Sequence, residues 1–166
     1  MVIVIITGSS ASGKTTIAKL FEKNCLFHLI DGDQVIKDLG LTSKSWNSIH
    51  DNLIDRALQF NFDSNVVISH VVLPEKFAYY QEKLAKHCRD LQIVVLIPSL
   101  ETLHVRARIR KSHPKPTPQE FIDFFYDKFK SIQATNDDYL VIDNSLQTEQ
   151  QTLKEIVKYT SLDTND

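Results

Sequence analysis

Glycine is scarce in this 166-residue chain, four in all, and cysteine is scarcer still, with two. Cys25 and Cys88 are too few and too far apart for a disulfide framework or a thiolate metal site, which points to reduced thiols and an expected cytoplasmic setting. An excess of one charge is also missing. Nineteen basic residues against twenty-one acidic ones leave a formal net charge of -2, so no stable binding along a polynucleotide is expected. No stretch approaches the roughly 20 apolar residues of a membrane span. The opening MVIVIITG has an apolar run of only about five residues and no basic leading region, unlike a signal peptide. His28, His50, His87, His104 and His113 show no metal-ligand spacing, so a zinc site is not expected. What is present is an ordinary globular balance, 42% apolar and 24% charged, in a length that suits one domain over residues 1–166.

Hydrophobic periodicity gives an alternation of strands and helices. The run from Val2 to Ile6 reads as a strand, Ile17, Ala18, Leu20 and Phe21 as a helix face, and LFHLID, ending at Asp31, as a second strand. SWNSIHDNLIDRALQF places Trp46, Ile49, Leu53 and Ala57 on one helical face, and NVVISHVVL reads as a buried third strand. Helix is predicted over Glu75 to Cys88, strand over LQIVVLI, helix over Leu100 to Arg110, and a stiff loop over HPKPTP. Helix from Gln119 to Ile132, strand over YLVID and helix from Thr148 to Leu162 complete the chain. Five strands separated by helices imply an α/β domain with a parallel sheet covered on both faces, its ligands at the carboxyl ends of the strands.

Two of the four glycines stand in one loop, GSSASGKT, between the first strand and the first helix. This is the G-x-x-x-x-G-K-[ST] phosphate-binding pattern, comprising Gly8, Ser9, Ser10, Ala11, Ser12, Gly13, Lys14 and Thr15, with Thr16 opening the helix. Glycines let the backbone turn successive N–H groups inward onto phosphate oxygens, and the helix start adds its positive dipole end. Lys14 is expected to reach the β- and γ-phosphates and Thr15 to offer its hydroxyl to Mg²⁺. At the end of the second strand, Asp31 and Asp33 flank Gly32. Phosphoryl transfer to a hydroxyl requires a carboxylate that orients or deprotonates the acceptor, a role expected of Asp33, and Asp31 is a metal-side candidate. Either aspartate is equally suited to cap the helix that follows.

From these residues the chain resembles the small P-loop kinases related to adenylylsulfate kinase, gluconate kinase, shikimate kinase and chloramphenicol phosphotransferase. LIDGDQV looks like the aspartate-glycine-aspartate segment of adenylylsulfate kinases and is similar to the Asp-x-Asp segment of shikimate kinases, while VVISHVVLP and YLVIDNSLQTEQQTLKEI look most like chloramphenicol phosphotransferase. The resemblance implies a three-layer P-loop NTPase fold, with a five-stranded parallel sheet in the expected order 2-3-1-4-5. It also implies that Asp33 is the catalytic base. Where many members carry an acid near the end of the third strand, this chain has Ser69 and His70. The triple glycine of shikimate kinases is absent, and Val35 or Ile36 stands where adenylylsulfate kinases have arginine.

HVRARIRKSHPKPTP places Arg106, Arg108, Arg110 and Lys111 before the proline-rich loop, and helical spacing puts Arg106 and Arg110 on one face. In the similar kinases a lid here, about residues 106–118, closes over ATP and brings an arginine onto the transferred phosphate; otherwise this is a solvated helix face. In the resembling kinases the backbone after the fifth strand wraps the adenine, which assigns Asn144 and Ser145 to the nucleotide. Trp46 is a core residue or an acceptor-pocket wall, and His70 either contacts substrate or is structural. Arg56 reaches Asn52 one turn back or an acidic acceptor. The expectation is an ATP- and Mg²⁺-dependent kinase, monomeric or homodimeric, acting on a hydroxyl of a small molecule. The alternatives are a nucleoside or nucleotide kinase, and an ATP-binding regulatory protein without transferase activity.

Overall fold

In a computed structural model of the chain, the described residues are 1–40, 46–110, 117–132, 135 and 138–160. Strand β1 (Val2–Gly8) is buried along its length and is followed by helix α1 (Lys14–Asn24), β2 (Phe27–Asp31) and α2 (Gly32–Asp38). Next come α3 (Trp46–Leu58), β3 (Asn65–Ser69), α4 (Phe77–Leu84), β4 (Asp90–Leu96), α5 (Leu100–Ile109), α6 (Gln119–Phe129), β5 (Leu140–Ile142) and α7 (Glu149–Thr160). The strands form one parallel sheet in the order β2-β3-β1-β4-β5. This is the three-layer α/β arrangement and strand order expected from the sequence.

Alternation along β1 divides the core. Ile3 and Ile5 face Ile49 and Leu53 of α3 and Tyr80 and Leu84 of α4, whereas Val2, Val4 and Ile6 face Ile17 and Phe21 of α1 and Ile156 of α7. A strand covered on both faces needs apolar residues at every position, which is why MVIVIITG has no polar alternation.

Several predicted spans change. The run NVVISHVVL is a strand only as far as Ser69, because the segment beyond it turns onto Thr7. The Thr7 hydroxyl accepts from Val72 N at 2.8 Å and donates to Val72 O at 2.9 Å, drawing that backbone off the ladder. The predicted helix Glu75–Cys88 is α4 with single 3₁₀ turns at Pro74–Lys76 and Ala85–His87 on either side. Helix α5 stops at Ile109, with Arg110 in extended backbone. Arg106 and Arg110 therefore do not share a helical face. Residues 111–116 of the expected lid lie outside the described residues, as does Leu162 of the predicted last helix. No helix among the described residues is long and apolar enough to cross a membrane.

Candidate active site

The loop between β1 and α1 is a backbone structure first. At Gly8 a Cβ would stand 2.3 Å from Leu96 O on the neighbouring strand β4, so this glycine is required by close packing against the sheet. Ala11, at φ 64°, holds a left-handed backbone that a non-glycine residue adopts at a cost of about 1–2 kcal/mol. Ser12 N donates to Ser9 O at 3.3 Å, and Gly13 is the N-cap of α1 with no side-chain cap. The amides at the start of α1 therefore have no side chain competing for them, the condition under which a helix start takes an anion.

Lys14 lies half-buried inside this turn, its Nζ donating to Ser9 O at 2.7 Å. Burial pulls its ammonium down to about 8. Asp33 and Asp31 raise it and Arg110 lowers it further, which puts all three charges within electrostatic reach of the loop. Thr15 Oγ1 lies 3.2 Å from Ser69 Oγ, so the end of β3 presents a hydroxyl to Thr15 where the resemblance led to the expectation of an acid. Thr16 is exposed and Ser10 half-buried.

Asp31 closes β2 and caps α2, accepting from Asp33 N at 3.1 Å. Burial raises its carboxyl above the usual range, with the hydrogen bond from Asp33 opposing. That cap fixes Asp33 in the first turn of α2, exposed and on the same sheet end as Lys14. Capping and a place in the site therefore coincide at this pair.

Arg106 turns toward the loop. Its guanidinium donates to Ser12 O at 3.4 Å and to Asn144 O at 2.8 Å, while the Asn144 side-chain amide donates to the same Ser12 carbonyl at 3.0 Å. Asn144 is thus a strut joining the end of β5 to the loop after β1, with its own carbonyl accepting from Arg106. Ser145 Oγ accepts from Ser99 N at 2.7 Å, tying the same segment to the start of α5.

On the other side of Asp33 lies a cluster of rings. Trp46, His50 and His70 make a triangle with centroids 5.3, 5.6 and 5.6 Å apart, and Phe125 of α6 stacks behind Trp46 at 6.2 Å. Trp46 begins α3 and is partly exposed, so it is not the fully buried core residue its spacing suggested. His70 is 5% exposed and sits on Gly32, where a Cβ would meet its Nδ1 at 2.2 Å. His50 is fully buried, its Nδ1 2.8 Å from the Tyr80 hydroxyl. Burial holds the His50 imidazole down to about 4 and the His70 imidazole down to about 3, so both are neutral at physiological pH.

Arg56 is not brought to this cluster. It pairs with Asp38 at 3.5 Å, because α2 packs across α3, and Asn52 donates to Ser48 O instead. Arg56 lines a separate cavity of about 640 Å³ on the outer side of β2, with Lys19, Gln34 and Phe60. Asp31 touches that cavity; Lys14, Asp33 and His70 do not. Among the described residues no group of three or more acids, histidines or cysteines could hold a metal by itself. The donor set at Thr15 and Asp31 fits Mg²⁺ carried in on a nucleotide, since that ion keeps phosphate and water ligands and needs few from protein.

Sequence reasoning missed His50, Tyr80 and Phe125. Only the i,i+4 spacing of Trp46 and His50 carried a signal, and it was absorbed into the helix periodicity.

Solved structures share this architecture. A gluconokinase from Sinorhizobium meliloti 1021 superposes with a TM-score of 0.71 at 17% identity, over 95% of this chain and 90% of that one. A shikimate kinase from Bacteroides thetaiotaomicron gives 0.69 at 16% identity, over 97% and 99%, and the tunicamycin resistance protein of Deinococcus radiodurans gives 0.66 at 14%, over 99% and 98%. No family model matches the chain, and no curated protein is significantly similar to it. The fold is therefore that of the small P-loop kinases, with the sheet order and phosphate-loop position that this class defines.

Proposed function

We propose that the protein is an ATP-dependent phosphotransferase that moves a γ-phosphoryl group to a hydroxyl of a small-molecule acceptor. The observation that carries this reading is the placement of Lys14, buried in a glycine-containing loop, within the field of Asp33 at the same end of the sheet. The loop amides and Lys14 hold the β- and γ-phosphates and offset the charge that spreads over the transferred group. Asp33 accepts the acceptor's hydroxyl proton as that oxygen bonds to the γ-phosphorus; the bond from phosphorus to the β,γ-bridging oxygen breaks, and ADP leaves with the electron pair. Thr15 and Asp31 are the residues that would hold Mg²⁺, which supplies charge neutralisation at the phosphates when bound. Arg106, joined to the loop through Ser12, and Arg110 on the Lys14 side are the candidates for a cation closing on the nucleotide. Kinase names among the solved structures sharing the fold, for sugar and shikimate substrates, agree with this class of reaction.

Calorimetry with ATP and Mg²⁺, followed by ADP release across nucleosides, sugars and amino-alcohols, tests the proposal. Binding at micromolar ATP and acceptor-dependent ADP release are expected, and a nucleoside as the one productive acceptor would make this a nucleoside kinase. No heat with ATP or GTP ends the reading. A second reading, an ATP-binding protein without transfer, is favoured by Ser69 in place of a strand acid, its hydroxyl engaged with Thr15. Tight ATP binding with no product from any acceptor would select it.

A further inference from the structure

Buried polar atoms in folded proteins are almost all paired, so the unpaired ones indicate what a site lacks. Here two lie side by side: His50 Nε2 and His70 Nε2 are buried without a hydrogen-bond partner, in rings that are themselves 0% and 5% exposed. The hydrogen bond between His50 and Tyr80 fixes which atom of His50 seeks a partner. If the Tyr80 hydroxyl donates to Nδ1, one orphan remains, the N–H at Nε2. If Nδ1 donates instead, the phenol proton and the Nε2 lone pair are both stranded. The first arrangement strands one polar group and the second strands two, so Tyr80 donates and His50 presents an Nε2–H directed away from Tyr80. Both rings adjoin Trp46, which is partly exposed and stacks on Phe125.

The charges around these rings exclude an anionic guest. Asp31 and Asp33 stand at the same end of the sheet and repel a second carboxylate. The two ammonium groups whose fields reach the histidines are engaged elsewhere, Lys14 on Ser9 O and Lys76 on Asn47 Oδ1 and over the Tyr79 ring. Among the described arginines of this face, Arg56 is paired with Asp38, Arg106 is engaged with Ser12 and Asn144, and Arg110 stands on the Lys14 side, where the nucleotide phosphates are proposed to bind. A carboxylate-bearing acceptor would meet two acids and no arginine fork from these residues.

We infer that the acceptor is an uncharged, hydroxyl-bearing molecule with a flat or apolar face, which stacks on Trp46 and takes the Nε2 atoms of His50 and His70 as hydrogen-bond partners. This rests on the phosphotransferase reading and gives its substrate class: the unpaired imidazoles call for a polar ligand atom, and repulsion from Asp31 and Asp33 selects a neutral alcohol over its carboxylate analogue.

The test uses the whole protein with MgATP and matched pairs: 1,4-benzenedimethanol against 4-(hydroxymethyl)benzoate, methyl shikimate against shikimate, and glucose against gluconate. Trp46 is the chain's single tryptophan, so its fluorescence, read with MgATP already bound, reports on this ring cluster. The neutral member of at least one pair is expected to quench Trp46 and to be phosphorylated with kcat/KM about tenfold or more above its acid. The double variant His50→Phe/Tyr80→Phe removes the donor without stranding the phenol. It is expected to melt like the parent and to raise the acceptor KM about tenfold, with kcat and the ATP affinity within about threefold. A preferred acid, an unchanged KM in the double variant, or MgATP binding with no pair member consumed overturns the inference while leaving the nucleotide site standing. Failure of MgATP to bind at all overturns the phosphotransferase reading, and this inference falls with it.

Discussion

The two halves of the site are built by different means. On the phosphate side, eight consecutive residues and one helix start suffice, and their geometry is set by backbone: Gly8 against Leu96 O, Gly13 at the N-cap, Lys14 turned back onto Ser9. On the acceptor side, Trp46 and His50 come from α3, His70 from the end of β3, Tyr80 from α4 and Phe125 from α6, and Gly32 at the start of α2 makes room for them. A contiguous loop leaves a spacing in the sequence, whereas a pocket gathered from five elements leaves only a composition of rings. Under the proposed function, the first half would bind the nucleotide common to many phosphotransferases and the second half would select the acceptor.

The comparison breaks most visibly at Lys14. Lys14→Ala removes the one side-chain charge inside the loop and is expected to lower kcat/KM for ATP by about 10³-fold, about 4 kcal/mol of transition-state stabilisation. Steady-state ADP release checks this, and Trp46 quenching by a neutral acceptor should persist in the same variant. Loss of both would mean that the halves are not separable. Asp33→Asn keeps the shape and removes the proton acceptor, so kcat is expected to fall by about 10²-fold or more while calorimetric ATP affinity stays within about twofold. An equal loss in ATP affinity would move Asp33 to the phosphate side.

The same division explains what was legible. The alternating strands and helices, the two covered faces of the sheet and the loop motif follow from apolar runs and one spacing, the strand order from the resemblance to small P-loop kinases, and the sequence positions of Lys14, Thr15, Asp31 and Asp33 followed with them. Boundaries failed where side chains act on backbone at a distance: nothing in NVVISHVVL announces that Thr7 captures Val72. Helical spacing joined Arg106 to Arg110, but α5 ends one residue too early for that. Arg56 was expected at Asn52 or at an acidic acceptor because only its own helix is legible locally, and its partner Asp38 is on α2. The segment of Asn144 and Ser145 was assigned to the nucleotide through the resemblance, and no local signal shows that the Asn144 side chain reaches back to Ser12 across 132 residues.

A smaller effect tests whether the acceptor side is packed as closely as the loop. In Gly32→Ala the new methyl would lie 2.2 Å from His70 Nδ1, against a ring already held between Gly32 and Trp46. Overpacking of this kind costs about 1–3 kcal/mol, read as a lower midpoint in urea. His70 is the group that gives way, so the acceptor KM should rise while the ATP dissociation constant does not. A stable variant with unaltered KM would show that His70 is free to move.

The smallest effect separates the halves by pH alone. In the nucleotide-free protein Lys14 loses its proton around pH 8, because burial outweighs the attraction of Asp33. A bound triphosphate supplies the missing counter-charge and raises that value, so binding above pH 8 requires the uptake of a proton and affinity falls as pH rises, by at most about tenfold per pH unit. Folding stability moves in the opposite direction. The folded-state value lies below the ordinary 10.5, so between about 8 and 10.5 the unfolded chain binds the extra proton and the folded state gains as pH rises. Weaker ATP binding at pH 9 with an equal or higher melting temperature is therefore the signature of Lys14 and not of unfolding. Proton uptake, read from calorimetry in buffers of different ionisation enthalpy, should vanish in Lys14→Arg, whose guanidinium stays charged. Acceptor binding, read by Trp46 fluorescence over the same range, should be flat, because His50 and His70 are neutral from about pH 5 upward. An acceptor affinity that followed the ATP slope would place the lysine in contact with both substrates and erase the division.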